Sequence, residues 1–220
     1  MFCFQCEQTS KGEGCTKIGV CGKQPEVAAL QDLLVYALKG LSQYAIEGRK
    51  VGVNDPEVDR FTSKALFSTL TNVDFDPTRF VELINETVKR REAHKEKVRS
   101  AGGKTGFTEG PAVFKPESSL EAMIKQGEKV GVKSDPDINP DILSLRELLV
   151  YGLKGAVAYA DHAAILGHQK EAVNDFMMEA LASTTKDLTV DQMVALVMKA
   201  GDTAVATMAL LDEARASTGK

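Results

Sequence analysis

The chain has 220 residues, long enough for one large or two small domains, each able to bury an ordinary core. Hydrophobic residues make up 43% and charged residues 26%, and 27 basic against 31 acidic side chains give a net charge of -4; with no basic field to hold a polyanion, no nucleic-acid partner is expected. No run of about 18 apolar residues is seen, and the opening MFCFQCEQTS lacks the basic and apolar regions of a secretory signal, so no membrane partner is expected and the chain reads as cytoplasmic.

All four cysteines fall at the start: Cys3, Cys6, Cys15 and Cys21, spaced C-x2-C-x8-C-x5-C. Cysteines used as small hydrophobes would be scattered through the chain, so this crowding needs a local cause. Disulfides are one, although a reducing compartment and a chain of this size argue against staples. A structural zinc is a second, since four thiolates close a tetrahedral site, although the second pair is wider than in a usual zinc knuckle. An iron-sulfur cluster is a third, and it accepts irregular loop spacings. Gly12, Gly14, Gly19 and Gly22 flank Cys15 and Cys21 and can turn backbone amides toward a bound anion, which favours the cluster. Phe2 and Phe4 bracket Cys3, either shielding a metal or pinning the amino terminus to the core. Lys11, Lys17 and Lys23 could soften the negative charge of a thiolate-ligated cluster, but each reads first as a solvated surface lysine.

After Cys21 the pattern is helical throughout. Leu30, Leu33, Leu34, Ala37, Leu38, Leu41, Tyr44 and Ala45 recur at three and four, the apolar stripe of one helix face. Asp55-Pro56, Asp76-Pro77 and Asn139-Pro140 each pair a capping side chain with a proline suited to the first turn. Thr189 and Gln192 form a capping box. Helices are predicted near 26–47, 56–71, 77–100, 140–166, 169–186 and 190–214, with a short one at 118–130. Ala101 to Pro116 is rich in glycine and proline and reads as an irregular linker.

The two sides of that linker resemble each other. LQDLLVYALKGLSQYA from Leu30 and LRELLVYGLKGAVAYA from Leu145 share ten of sixteen residues, and the same offset pairs Phe61 with Phe176 and Leu66 with Leu181. The expected fold is all-α: a cysteine loop at 1–25, a three-helix bundle at 26–100, a linker with a short helix at 101–139, and a second, pseudo-repeated three-helix bundle at 140–220. The shared Lys39-Gly40 and Lys154-Gly155 read as packing features. Only the first repeat is preceded by cysteines, so chemistry is expected in what is not duplicated.

Other chemistry is thin. His94, in RREAHKEK, reads as a solvated helix residue; Asp161-His162 is a weak acid-base candidate; His168 suits a helix end. No nucleophile motif or phosphate-binding loop is present. Met177, Met178, Met193, Met198 and Met208 read as core filler.

The opening MFCFQCEQTSKGEGCTKIGVCGK, with LQDLLVYALKG, LRELLVYGLKG and ALASTTKDLTVDQMVALVMKAG, resembles the amino-terminal domain of the hybrid cluster protein family, also called prismane or hydroxylamine reductase. The resemblance covers essentially the whole chain. It implies a helical domain of two three-helix bundles in which Cys3, Cys6, Cys15 and Cys21 hold a [4Fe-4S] cluster. It also implies a redox donor protein and, as further partners, the α/β domains that carry the ligands of the catalytic hybrid cluster. None of those ligands can be placed on this sequence, so no catalytic residue is assigned and activity of the chain by itself stays open. Hydroxylamine reduction takes two electrons, whereas one cubane passes one at a time, so the resemblance implies an electron relay. The competing reading is a non-redox helical interaction module stapled by zinc. Apolar faces without a partner would favour docking surfaces and a homo-oligomer.

Overall fold

Helix starts fall where capping chemistry puts them. In the computed structural model, which describes residues 2–6, 12–131 and 137–219, Asp55, Asp76 and Asn139 each accept backbone N–H bonds from a first turn opened by proline. Thr189 and Gln192 close the expected capping box. Seven helices lie among the described residues: α1 (Pro25–Lys50), α2 (Pro56–Ser68), α3 (Pro77–Ser100), α4 (Leu120–Glu128), α5 (Pro140–Ile165), α6 (Glu171–Ser183) and α7 (Val190–Thr218). The fold is all-α, as expected. Helix α2 stops short of residue 71 because the Thr69 hydroxyl turns back to donate to the Leu66 carbonyl at 2.7 Å. Helix α7 runs past residue 214 and ends at Gly219, whose φ of 66° is the left-handed cap of a helix.

Helix α1 is the centre of the molecule. Its predicted stripe is buried throughout, and Val27, Ala28, Ala29 and Val35 outside the stripe are buried too. The reason is that α3, α4, α6 and a 3-10 turn at Gly110–Val113 all lie against it. Such a helix buries more than the one face its stripe marks.

The repeats interlock. Helix α6 lies along α1 more extensively than α2 does, and α2 lies along α5 more extensively than α6 does. One hydrophobic core therefore runs from Leu33, Leu38 and Leu66 to Leu149, Leu153 and Leu181. Residues on both sides of the linker share this core. Arg49, near the end of α1, ties the crossing together: Nη2 donates to Asp59 of α2 at 2.8 Å and Nε to Asp175 of α6 at 2.5 Å.

The segment 101–116, expected as an irregular linker, is pinned by its 3-10 turn. The Pro111 carbonyl accepts from the buried Arg91 of α3 at 2.9 Å. It also stands 2.0 Å from where a Cβ on Gly40 would lie. Close approach thus explains Gly40. Its repeat equivalent Gly155 has open space there, so packing does not account for the second glycine.

Helix α7 departs from expectation in two ways. By length and composition it is apolar enough to cross a membrane, although no unbroken apolar run marks it, and 22% of its most apolar window is buried. Met198 and Met208 on it are 68% and 50% exposed, whereas Met177, Met178 and Met193 do fill the core.

Candidate functional site

The cysteine loop folds back on itself. The Phe2 N–H donates to the Cys15 carbonyl at 2.8 Å and the Cys15 N–H to the Cys3 carbonyl at 2.9 Å, making Cys3 and Cys15 an antiparallel bridge pair. Paired residues of such a bridge send their side chains to one side. Cys21 sits in a turn closed by Gly19 N–H donating to the Lys23 carbonyl and Gly22 N–H donating to the Gly19 carbonyl, both at 2.8 Å. Gly22 has a φ of 91°, a conformation the turn needs and a side chain resists. Cys3, Cys6 and Cys15 are half-buried and Cys21 is exposed.

Gln5, between Cys3 and Cys6, anchors the loop to the helical body. Its carbonyl accepts from the Thr71 hydroxyl at 3.1 Å and the Tyr151 hydroxyl at 2.8 Å. With its amide set in the orientation its neighbours require, the side-chain nitrogen donates to the Thr69 carbonyl and the oxygen accepts from Lys154 Nζ, each at 3.1 Å. The turn after α2 and helix α5 of the other repeat thus grip one residue between two cysteines.

Two cations lie buried behind the loop. Lys23, expected as a solvated lysine, is 1% exposed because its ammonium turns inward to donate to Gln31 Oε1 at 2.7 Å; Gln31 in turn donates to the Asp74 carbonyl at 3.1 Å. Lys17 is exposed as expected, and Lys11 lies outside the described residues. Lys154 is 5% exposed. Burial pushes its ammonium down to about 8, nearby Lys23 pushes the same way, and the charges of Asp32, Glu147 and Cys3 oppose the shift.

Those carboxylates complete a polar seam between α1 and α5. Asp32 and Lys39 of α1 stand at the repeat positions of Glu147 and Lys154 of α5. Burial raises the Asp32 carboxyl to about 7, with Lys154, Lys23 and Lys39 pulling it down and Glu147 adding to the rise. Burial likewise lowers Lys39, opposed chiefly by Glu147. Lysine at these positions therefore marks a charged seam between the repeats rather than a packing feature.

The histidines stay apart from the loop. His94 is 1% exposed, not solvated: α3 turns it onto α1, where its Nε2 lies 3.0 Å from the position of a Cβ on Gly48. Burial lowers its pKa. His162 is exposed with its ring edge-on to Phe67 at 5.5 Å, and His168 Nε2 meets the Ser217 hydroxyl at 2.9 Å. Among the described residues no three Cys, His, Asp or Glu side chains converge as they would round a single metal ion. The donor set suits a larger anionic group: four thiols on one loop, with Cys3 and Cys15 paired and buried lysines behind them. Gln5, Thr71, Tyr151 and Lys154 were not candidates from the sequence, and Lys23, weighed there as a charge beside a cluster, was read first as solvated. The one available signal was a lysine inside the apolar run LLVYGLKG, twice in register.

An all-helical body with a cysteine loop clamped across the junction of its two repeats defines the class of this protein. A model of the Prismane/CO dehydrogenase family matches residues 1–218, and the chain belongs to that family. The hydroxylamine reductase of Syntrophobacter fumaroxidans is 59% identical over 215 residues, covering 97% of this chain and 40% of that protein. Those of Methanocella arvoryzae and Nitratidesulfovibrio vulgaris are 50% and 46% identical over 99% of the chain. The chain spans about 40% of the length of these curated relatives.

Proposed function

We propose that the chain is the iron-sulfur electron-transfer domain of a hydroxylamine reductase, working in the cytoplasm, with Cys3, Cys6, Cys15 and Cys21 holding one [4Fe-4S] cluster. In this reading residues 1–25 form the cluster loop, 26–100 and 140–220 the two repeats, and 101–139 their connection. A bound cluster supplies one-electron carriage. The chain's own residues position and shield it: Tyr151, Thr71 and Lys154 hold Gln5, and half-buried Phe2 and Phe4 limit water on the inner side. A redox donor protein would feed the cluster, and a hybrid-cluster catalytic site in domains outside these 220 residues would receive the electrons.

The observation that carries this reading is the confinement of all four cysteines to one docked loop, in a chain 59% identical to a hydroxylamine reductase over 97% of its length. The test is anaerobic purification followed by an ultraviolet-visible spectrum and iron, zinc and sulfide analysis on one sample. A brown protein with about four irons and four sulfides per chain is expected, lost on Cys15→Ala and kept on His162→Ala. A colourless chain holding about one zinc, and still so after reconstitution with iron and sulfide, would overturn it.

A further inference from the structure

A buried ammonium is costly unless something compensates its charge. Among the described residues, the acceptors that Lys154 meets at contact distance are neutral: the Gln5 amide oxygen at 3.1 Å and the Thr69 carbonyl at 3.5 Å. Among the described residues no carboxylate lies within ion-pair reach of it. Asp32 and Glu147 act on it through space, and so does Cys3. The Lys154 charge is therefore directed at the inner side of the cysteine loop and bonded to the residue between two of its thiols.

We propose that Lys154 is a positioning residue for the cysteine site: its ammonium holds the Cys3 to Cys6 turn through Gln5 and supplies a fixed positive charge that raises the reduction potential of the cluster bound there. This rests on the reading that the four cysteines hold a cluster. A cluster ligated by four thiolates gains a further negative charge on reduction, and a fixed cation in a poorly polarisable surround favours the more negative state. Exposed Lys17 on the same loop is screened by water and salt and contributes little. The second repeat thereby takes a part in the site that no cysteine of its own gives it.

The test uses the full 220-residue chain, reconstituted anaerobically with iron and sulfide and titrated electrochemically while the cluster's electron paramagnetic resonance signal is followed. Lys154→Met should keep the wild-type iron and sulfide content and shift the midpoint potential negative; Lys154→Arg should restore it, and Lys17→Met should leave it unchanged. An unchanged potential in Lys154→Met with a full cluster overturns the inference. Should Lys154→Met take up no iron, Gln5→Glu decides: a carboxylate beside the ammonium should lower the potential, and no shift overturns the inference. Failure of the wild-type chain to take up iron is seen before any variant is compared, and it removes the underlying reading and this inference together.

Discussion

A lysine in the middle of LLVYGLKG has no polar face to turn to: Lys154 is buried, and Lys39, Asp32 and Glu147 are half-buried in the seam they share. Asp32 shows the cost of that seam in measurable form. Its carboxyl stands at about 7 in the fold against 3.8 when free. Between those values the unfolded chain has released a proton that the folded chain keeps. Stability should therefore fall as pH rises from about 4 toward 7 and level off above. Urea midpoints across that range should show the slope, and Asp32→Asn should flatten it. The glycines of the two Lys-Gly pairs offer a second comparison. Gly40→Ala drives a methyl into the Pro111 carbonyl and should destabilise by roughly 1–3 kcal/mol. Gly155→Ala meets open space and should gain about 0.5–1 kcal/mol from helix propensity. Thermal denaturation of the pair reads the difference. Identical dipeptides in an internal repeat cannot show it, because the atom that matters belongs to the unrepeated linker.

At the scale of elements, capping and proline were legible in the sequence because both act over three or four residues. What a cap also does for tertiary structure was not. Among the described residues the Asp76 side chain accepts only from its own helix, from Thr78 N–H at 2.9 Å, whereas Asp55 caps α2 and also pairs with Lys97 of α3 at 2.7 Å. Asp76→Ala should cost about 1 kcal/mol and Asp55→Ala nearer 2 kcal/mol in equilibrium unfolding. Equal costs would show that the Lys97 pair contributes nothing. The cysteine loop follows the same division. Its thiols were legible from spacing, but the grip on Gln5 comes from residues 66 and 146 positions away. The equivalent tyrosines have diverged with it: Tyr151 donates to the loop, and Tyr36 stacks edge-on with Phe114 of the linker at 5.6 Å.

For the whole molecule, the exchange of α2 and α6 between repeats has an energetic consequence. Neither repeat can open without exposing apolar surface of the other, and Arg49 binds carboxylates from both. The chain should unfold in one transition, with calorimetric and van't Hoff enthalpies equal. Two separable transitions would show that each repeat encloses its own core.

Local chemistry alone determined much of this protein. Seven helices, their starts, the internal repeat and a four-cysteine loop follow from caps, periodicity and spacing, all of which act within a few residues or by direct comparison of segments. Tertiary structure decided the rest: that α6 covers α1 more than α2 does, that His94 and Lys23 are buried, that Gly40 is needed and Gly155 is not, and that Lys154 bonds to Gln5. Each of these depends on which distant atom fills a given space. A chain pattern with two equivalent repeats does not distinguish its own partner from the other's.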